Sequence, residues 1–92
     1  MTVKNEEKKY RLCEFDIIKD ADDDHKVEGT LEFVLGQLES RLGYFDAMDI
    51  KSHVLNLEVK HGSFDGLPAV AVEFDNRMGE HYQLLYVVEK AS

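Results

Sequence analysis

Asp20, Asp22, Asp24 and Glu28 fall at positions 1, 3, 5 and 9 of a calcium loop of the EF-hand type, and Val27 matches its apolar position 8. Four oxygen ligands at that spacing are the one arrangement in this chain that could hold a hard cation. The count then fails at its two most demanding places. His25 stands where a glycine must make the sharp turn, and Leu31 stands where a bidentate glutamate must close the loop; Glu32 comes one residue late. A strand pattern precedes the loop where a helix should. The other metal chemistries have less. His25, His53, His61 and His81 show no zinc spacing, and the single cysteine, Cys13, cannot build a thiolate site. Cys13 alternates with Glu14 and reads as a buried, inert thiol. Glycine-rich phosphate loops, a G-x-S-x-G elbow and H-E-x-x-H are absent from the sequence. No catalytic residue, metal ligand or cofactor is assigned, and a non-enzymatic role is expected.

Charge is the more informative signal. The 92 residues carry 19 acids and 11 bases, a net charge of −8. Eight of those acids lie between residues 14 and 32: Glu14, Asp16, Asp20, Asp22, Asp23, Asp24, Glu28 and Glu32, against Lys19 and Lys26. The rest of the chain is nearly balanced. Acids near a helix N-terminus gain about 0.3–1 kcal/mol each, which accounts for two or three of them. The remainder repel one another without a local reason. A surface of this sign disfavours direct contact with nucleic acid or anionic lipid, and it fits a cationic protein surface. The eight acids are therefore the candidate partner-binding residues.

Their positions depend on the elements around them. Residues 1–9 are polar and read as a flexible arm of a single domain spanning 1–92. Tyr10 to Ile18 alternates Cys13, Phe15 and Ile17 with Glu14 and Asp16, the period of a strand with one wet face. Lys19 to Glu28 has no periodicity and reads as a loop. Leu31, Val34, Leu35, Leu38, Leu42 and Phe45 then fall on one continuous helical face. Thr30 or Gly29 caps its start, and Gly43 is placed to close it in the left-handed conformation. Gly36, inside the helix, is explained either by close approach to a sheet or by tolerance.

Three strands follow. His53–Lys60 puts Leu55, Leu57 and Val59 on one face. A turn at His61–Gly66 leads to Ala69–Asp75, which Pro68 limits at its start, and Asn76–Gly79 turns the chain into His81–Glu89. The fold class is α+β, in the order β-α-β-β-β, with one helix packed on one face of a four-stranded, mainly antiparallel sheet. If the first strand shares an edge with the second, a right-handed crossover makes them parallel. The last strand is apolar in both registers, so part of Tyr10, Val54, Tyr82 and Tyr86 is expected on the uncovered face. Tyr82 and Tyr86 join the candidate partner-binding residues, since Tyr is favoured at interfaces.

In size, in the acid-rich segment Glu14–Glu32 and in this layout, the chain resembles the small acidic phage-encoded inhibitors of bacterial defence, the anti-CRISPR proteins in particular. The resemblance implies an inhibitor that binds a CRISPR effector complex and blocks its nucleic-acid-binding surface. It carries no motif, so no residue role transfers with it. A calcium-binding or homodimeric module, using the 20–32 loop or the open sheet face, is the alternative. Without an apolar signal core or a membrane-length apolar run, a cytoplasmic protein is expected (the host cytoplasm if phage-encoded), as a monomer or weak dimer.

Overall fold

The computed structural model describes residues 9–22, 27–45, 47 and 53–91. Most of the expected arm, Asp23 to Lys26 of the acidic segment and most of the link after the helix lie outside those residues, and the side chain of Asp22 is not described. Lys9, expected in the arm, is tied to the sheet: the Ala91 N–H donates to its carbonyl at 2.8 Å.

The elements are β1 (Tyr10–Asp16), β2 (Ala21–Asp22), β3 (Val27–Gly29), α1 (Leu31–Tyr44), β4 (Val54–Phe64), β5 (Leu67–Asn76) and β6 (His81–Lys90). The α+β expectation holds: the described residues form one helix and an antiparallel sheet. The strand count is corrected from four to five sheet positions. The order is β2-β1-β6-β5-β4, and β3 also pairs with β1, so the two short pieces β2 and β3 occupy one edge in turn. The segment read as an aperiodic loop thus supplies an edge strand. Period was a poor guide there, because pieces this short show no alternation and their pairing is made by backbone groups.

β1 does not lie parallel to the next long strand. It sits inside the sheet, antiparallel to β6, with Leu12 against Val88 and Cys13 against Val87. Leu12 and Cys13 are both 3% exposed although they point to opposite faces. Two adjacent apolar residues are thus both buried, one on each face of the sheet. Leu12 faces the helix, while Cys13 and Phe15 face away from it. The expected wet face, Glu14 and Asp16, lies on the helix side beyond the core.

The helix begins as expected at Thr30, whose hydroxyl accepts from Phe33 N–H at 3.2 Å. Val34, Leu38 and the capping Phe45 are buried against Leu12, Val70, Val72, Tyr86 and Val88. Each such apolar side chain contributes about 1.5–3 kcal/mol by leaving water. The end of the helix differs from expectation. It runs through Gly43 to Tyr44, and Phe45 caps it in the right-handed region. Burial of Phe45 against Phe74, with ring centroids 5.6 Å apart, carries the helix past the glycine. Gly36 has no atom within 4 Å of where a Cβ would stand, so close approach is not its reason.

β4 corrects the reading of the second half. It extends to Phe64, and the turn shrinks to Asp65–Gly66, both with positive φ (56° and 79°), the two-residue hairpin geometry that Asp-Gly favours. Near its start β4 carries one extra residue opposite β5, between Leu55 and Glu58. Asn56 takes φ 55° there and donates from Nδ2 to Asp75 Oδ2 at 3.1 Å. This bulge switches the phase. Leu57 and Val59 face the helix side as expected, and Leu55 is turned to the opposite face. Pro68 stands inside β5, opposite Ser63, and pairing with β6 starts one residue later at Ala69. Its missing N–H therefore points past the end of that ladder.

Candidate partner-binding surface

Strand alternation decides which side chains share the face that α1 leaves open. β1 places Arg11, Cys13 and Phe15 there. The registers set Glu89, Val87 and Leu85 of β6 beside them, and Ala69 and Ala71 of β5 beyond. Phe15, Phe64, Ala69, Leu85 and Val87, with Ser63 and Glu89, line a shallow groove of about 440 Å³. Phe64, next to the Asp65–Gly66 turn, is 63% exposed. The middle of this face is therefore apolar, and charged rows flank it.

At one end Arg11 lies between two carboxylates, its Nε 3.6 Å from Glu28 and 3.7 Å from Glu89. The pairing of Arg11 with Glu28 on β3 and with Glu89 on β6 creates that row. Cys13 Sγ also donates to Glu89, at 3.3 Å. The thiol is buried, as expected.

At the other end His81 is held by two carboxylates on β5. Its Nδ1 is 2.6 Å from Asp75 and its Nε2 is 2.7 Å from Glu73. Gln83 Nε2 donates to the same Glu73 oxygen at 3.0 Å. Hydrogen bonds to Asp75 first, and to Glu73 second, hold the imidazole protonated above its ordinary range. Asp75 is held below the usual carboxylate range by the bonds from His81 and Asn56, and Glu73 by those from Gln83 and His81. Both ring nitrogens are committed to carboxylates, and neither is directed at a hydroxyl or thiol. This is a cross-strand ion triad, with the geometry of a clamp rather than of a proton shuttle to a nucleophile.

The acids singled out in the sequence do not form one surface. Glu14 sits on the helix side, where Arg41 Nη1 reaches its Oε1 at 2.7 Å. Glu28 is on the opposite side with Arg11. Asp16 closes the first turn by accepting from Lys19 N–H at 3.0 Å, and Asp20 occupies that turn with φ 54°. Asp22 stands opposite Phe15 on the edge, and Glu32 is exposed in the first helical turn. Among the described residues, Asp16, Asp20 and Glu32 have no cationic ion-pair partner. Asp23 and Asp24 lie outside the described residues. The pairing of Ala21–Asp22 and Val27–Gly29 with β1 sets Asp22 opposite Phe15 and Glu28 opposite Arg11, apart along an extended edge. A calcium loop needs them around a point, and among the described residues no cluster of His, Cys, Asp and Glu could hold a metal ion.

Neither tyrosine lies on the open face. Tyr86 is 3% exposed and packs in the core beneath the helix. Tyr82 is on the same side, stacked on Phe74 at 4.9 Å and 10°, with Lys19 Nζ 5.7 Å from its ring centroid. The even register of β6 faces the helix, so the apolar residues on the other side are Leu85, half-buried, and Val87, 9% exposed. Sequence reasoning missed the Glu73–His81–Asp75 triad. Its signal was present: a hairpin closing around Asn76–Gly79 sets Asp75 opposite His81 and Glu73 opposite Gln83.

Comparison with protein-family models, with curated proteins and with solved structures returns no match to this chain. Among the described residues, no helix is long and apolar enough to cross a membrane.

Proposed function

We propose that this chain is a small acidic protein-binding inhibitor that occupies a basic, nucleic-acid-binding surface of a bacterial defence complex, as its resemblance to the anti-CRISPR proteins implies. The observation that carries the reading is the placement of excess charge. Asp16, Asp20 and Asp22 follow one another along the first turn and the outer edge of the sheet, and Asp23 and Asp24 continue that run in sequence. An arginine- or lysine-lined groove built for phosphate oxygens accepts carboxylates in similar geometry. The acids accelerate encounter. Adhesion at short range is left to the apolar groove of Phe15, Leu85 and Val87, which borders the same edge.

The test uses CRISPR effector complexes, each assayed for target-DNA binding by gel mobility shift with and without the protein. The wild-type chain is expected to abolish the shift of at least one complex at stoichiometric concentration. A variant with Asp20, Asp22, Asp23 and Asp24 all changed to Asn is expected to keep its fold, by circular dichroism, and to bind that complex at least about tenfold more weakly with a shallower salt dependence. Equal inhibition by the neutralised variant would remove the acidic edge from the mechanism. Failure to impede DNA binding by any complex tested would remove the reading itself.

A further inference from the structure

We propose that the outer edge of β4 pairs antiparallel with β4 of a second copy, in the one register that sets Val59 against Val59 and Glu58 against Lys60 in both directions. The backbone directions follow from the hairpin. Phe64 and Leu67 flank the two-residue turn Asp65–Gly66 and form a hydrogen-bonded pair, so the even residues of β4 bond inward to β5. Bonds on the far side of the sheet keep this alternation: Asn76 N–H donates to Glu80 and Ile17 N–H to Gln83. Val59, His61 and Ser63 consequently direct their N–H and C=O groups out of the edge, where no described strand meets them. An open edge eleven residues long is a template for another strand.

Charge selects the occupant and the register. Among the described residues the sheet has two edges. The β2/β3 edge carries Asp22 and Glu28, with Asp16 and Asp20 at the turn that leads into it, and like charge there repels a second copy. Pairing through β4 instead puts the two acidic edges at opposite ends of a continuous sheet, about 40 Å apart at the ordinary strand spacing. That is several times the Debye length of about 8 Å at physiological salt. Within the β4 pairing, outward groups must meet outward groups, so allowed registers differ by steps of two. One step in either direction sets Glu58 against Glu58 or Lys60 against Lys60, and both are unfavourable. The Val59-centred register places Glu58 and Lys60 in non-hydrogen-bonded pairs, where side chains approach closest. It also joins two Val59 side chains that are 37% exposed in the single chain. Glu58 stands opposite Glu73 within its own sheet, and Lys60 of the second copy supplies the counter-charge on its free side.

Sedimentation equilibrium across micromolar to millimolar concentration tests the pairing, with circular dichroism to confirm the fold of each variant. The wild-type chain is expected to dimerise. Glu58→Lys turns two attractive pairs into two Lys–Lys contacts, and Lys60→Glu into two Glu–Glu contacts. Each should weaken the dimer by roughly ten- to a hundredfold. The double variant Glu58→Lys/Lys60→Glu restores opposite charges and should recover wild-type association. A wild-type monomer at every concentration overturns the proposal and leaves the edge to a different strand. So does a dimer indifferent to both single changes, which places the contact elsewhere, on the open face for example.

Discussion

His81 is the side chain whose protonation most directly reports on the fold. Its pKa is raised by the bonds from Asp75 and Glu73, so its stabilising contribution is complete below the unfolded value of about 6.5 and is lost as pH rises through the higher folded value. Asp75 and Glu73 behave in the opposite sense. Their pKa values are lowered from 3.8 and 4.5, so their contribution is present above those values and is lost as pH falls through the lower folded ones. The triad is therefore strongest between about pH 4.5 and 6.5. His81→Gln should lower the unfolding temperature most within that window, and the difference from wild type should shrink as pH rises through the folded pKa of His81. Proton NMR titration of the His81 ring should give a midpoint above that of a free histidine. A midpoint at or below the ordinary value would mean that the two carboxylates do not hold the ring in solution.

At the level of elements, the helix separates residues that hold it from residues that merely occupy it. Thr30 satisfies one of the unpaired N–H groups of the first turn, and Thr30→Ala should destabilise the protein by about 1 kcal/mol. Gly36 is exposed, has ordinary backbone geometry and no neighbour where a Cβ would stand. Gly36→Ala should therefore stabilise by about 0.8–1 kcal/mol. Denaturant titration of the two variants, at constant m-value, checks both signs. Glu32 and the acids before the helix add favourable charge at its N-terminus, but the buried Val34, Leu38 and Phe45 decide where it lies. β4 shows the same division. Its bulge is a single inserted residue at Asn56, a type that tolerates positive φ, and it sends Leu55 to the open face, where it is 44% exposed.

At the scale of the whole molecule, charge and apolar surface are segregated. The acidic run lies at one edge of the sheet, an apolar groove in the middle of its open face, and a nearly neutral strand at the other edge. Inhibitor binding through the acidic edge and self-association through β4 use opposite sides, so they are compatible. Their salt responses should differ, and the same preparations can be used for both. Raising ionic strength from about 0.05 to 0.5 M should weaken the contact to a cationic partner steeply. It should change the β4 dimer much less, because screening weakens its two ion pairs and also the mutual repulsion of two chains of charge −8. A partner contact that is indifferent to salt would argue that the groove, and not the acidic edge, makes it.

The α+β class, a helix capped at Gly29 or Thr30, its apolar face at Leu31, Val34, Leu38 and Phe45, and the concentration of acids before it were legible in the sequence. These are properties of composition and of local period, and they are visible without knowing what lies next to what. The sequence did not determine that Ala21–Asp22 and Val27–Gly29 pair with β1 as an edge, that β1 lies between that edge and β6, or that Tyr86 is buried while Phe15 and Phe64 are open. Nor did it reveal that Glu14 and Glu28 are bound by Arg41 and Arg11 on opposite faces. Those facts depend on register and strand order. In a strand a shift of one residue exchanges the two faces, so the bulge at Asn56 and the two-residue turn at Asp65–Gly66 decide the sidedness of half the sheet. Tertiary pairing alone separated Glu14 and Glu28, each bound by an arginine, from Asp16, Asp20 and Glu32, which have no cationic ion-pair partner among the described residues.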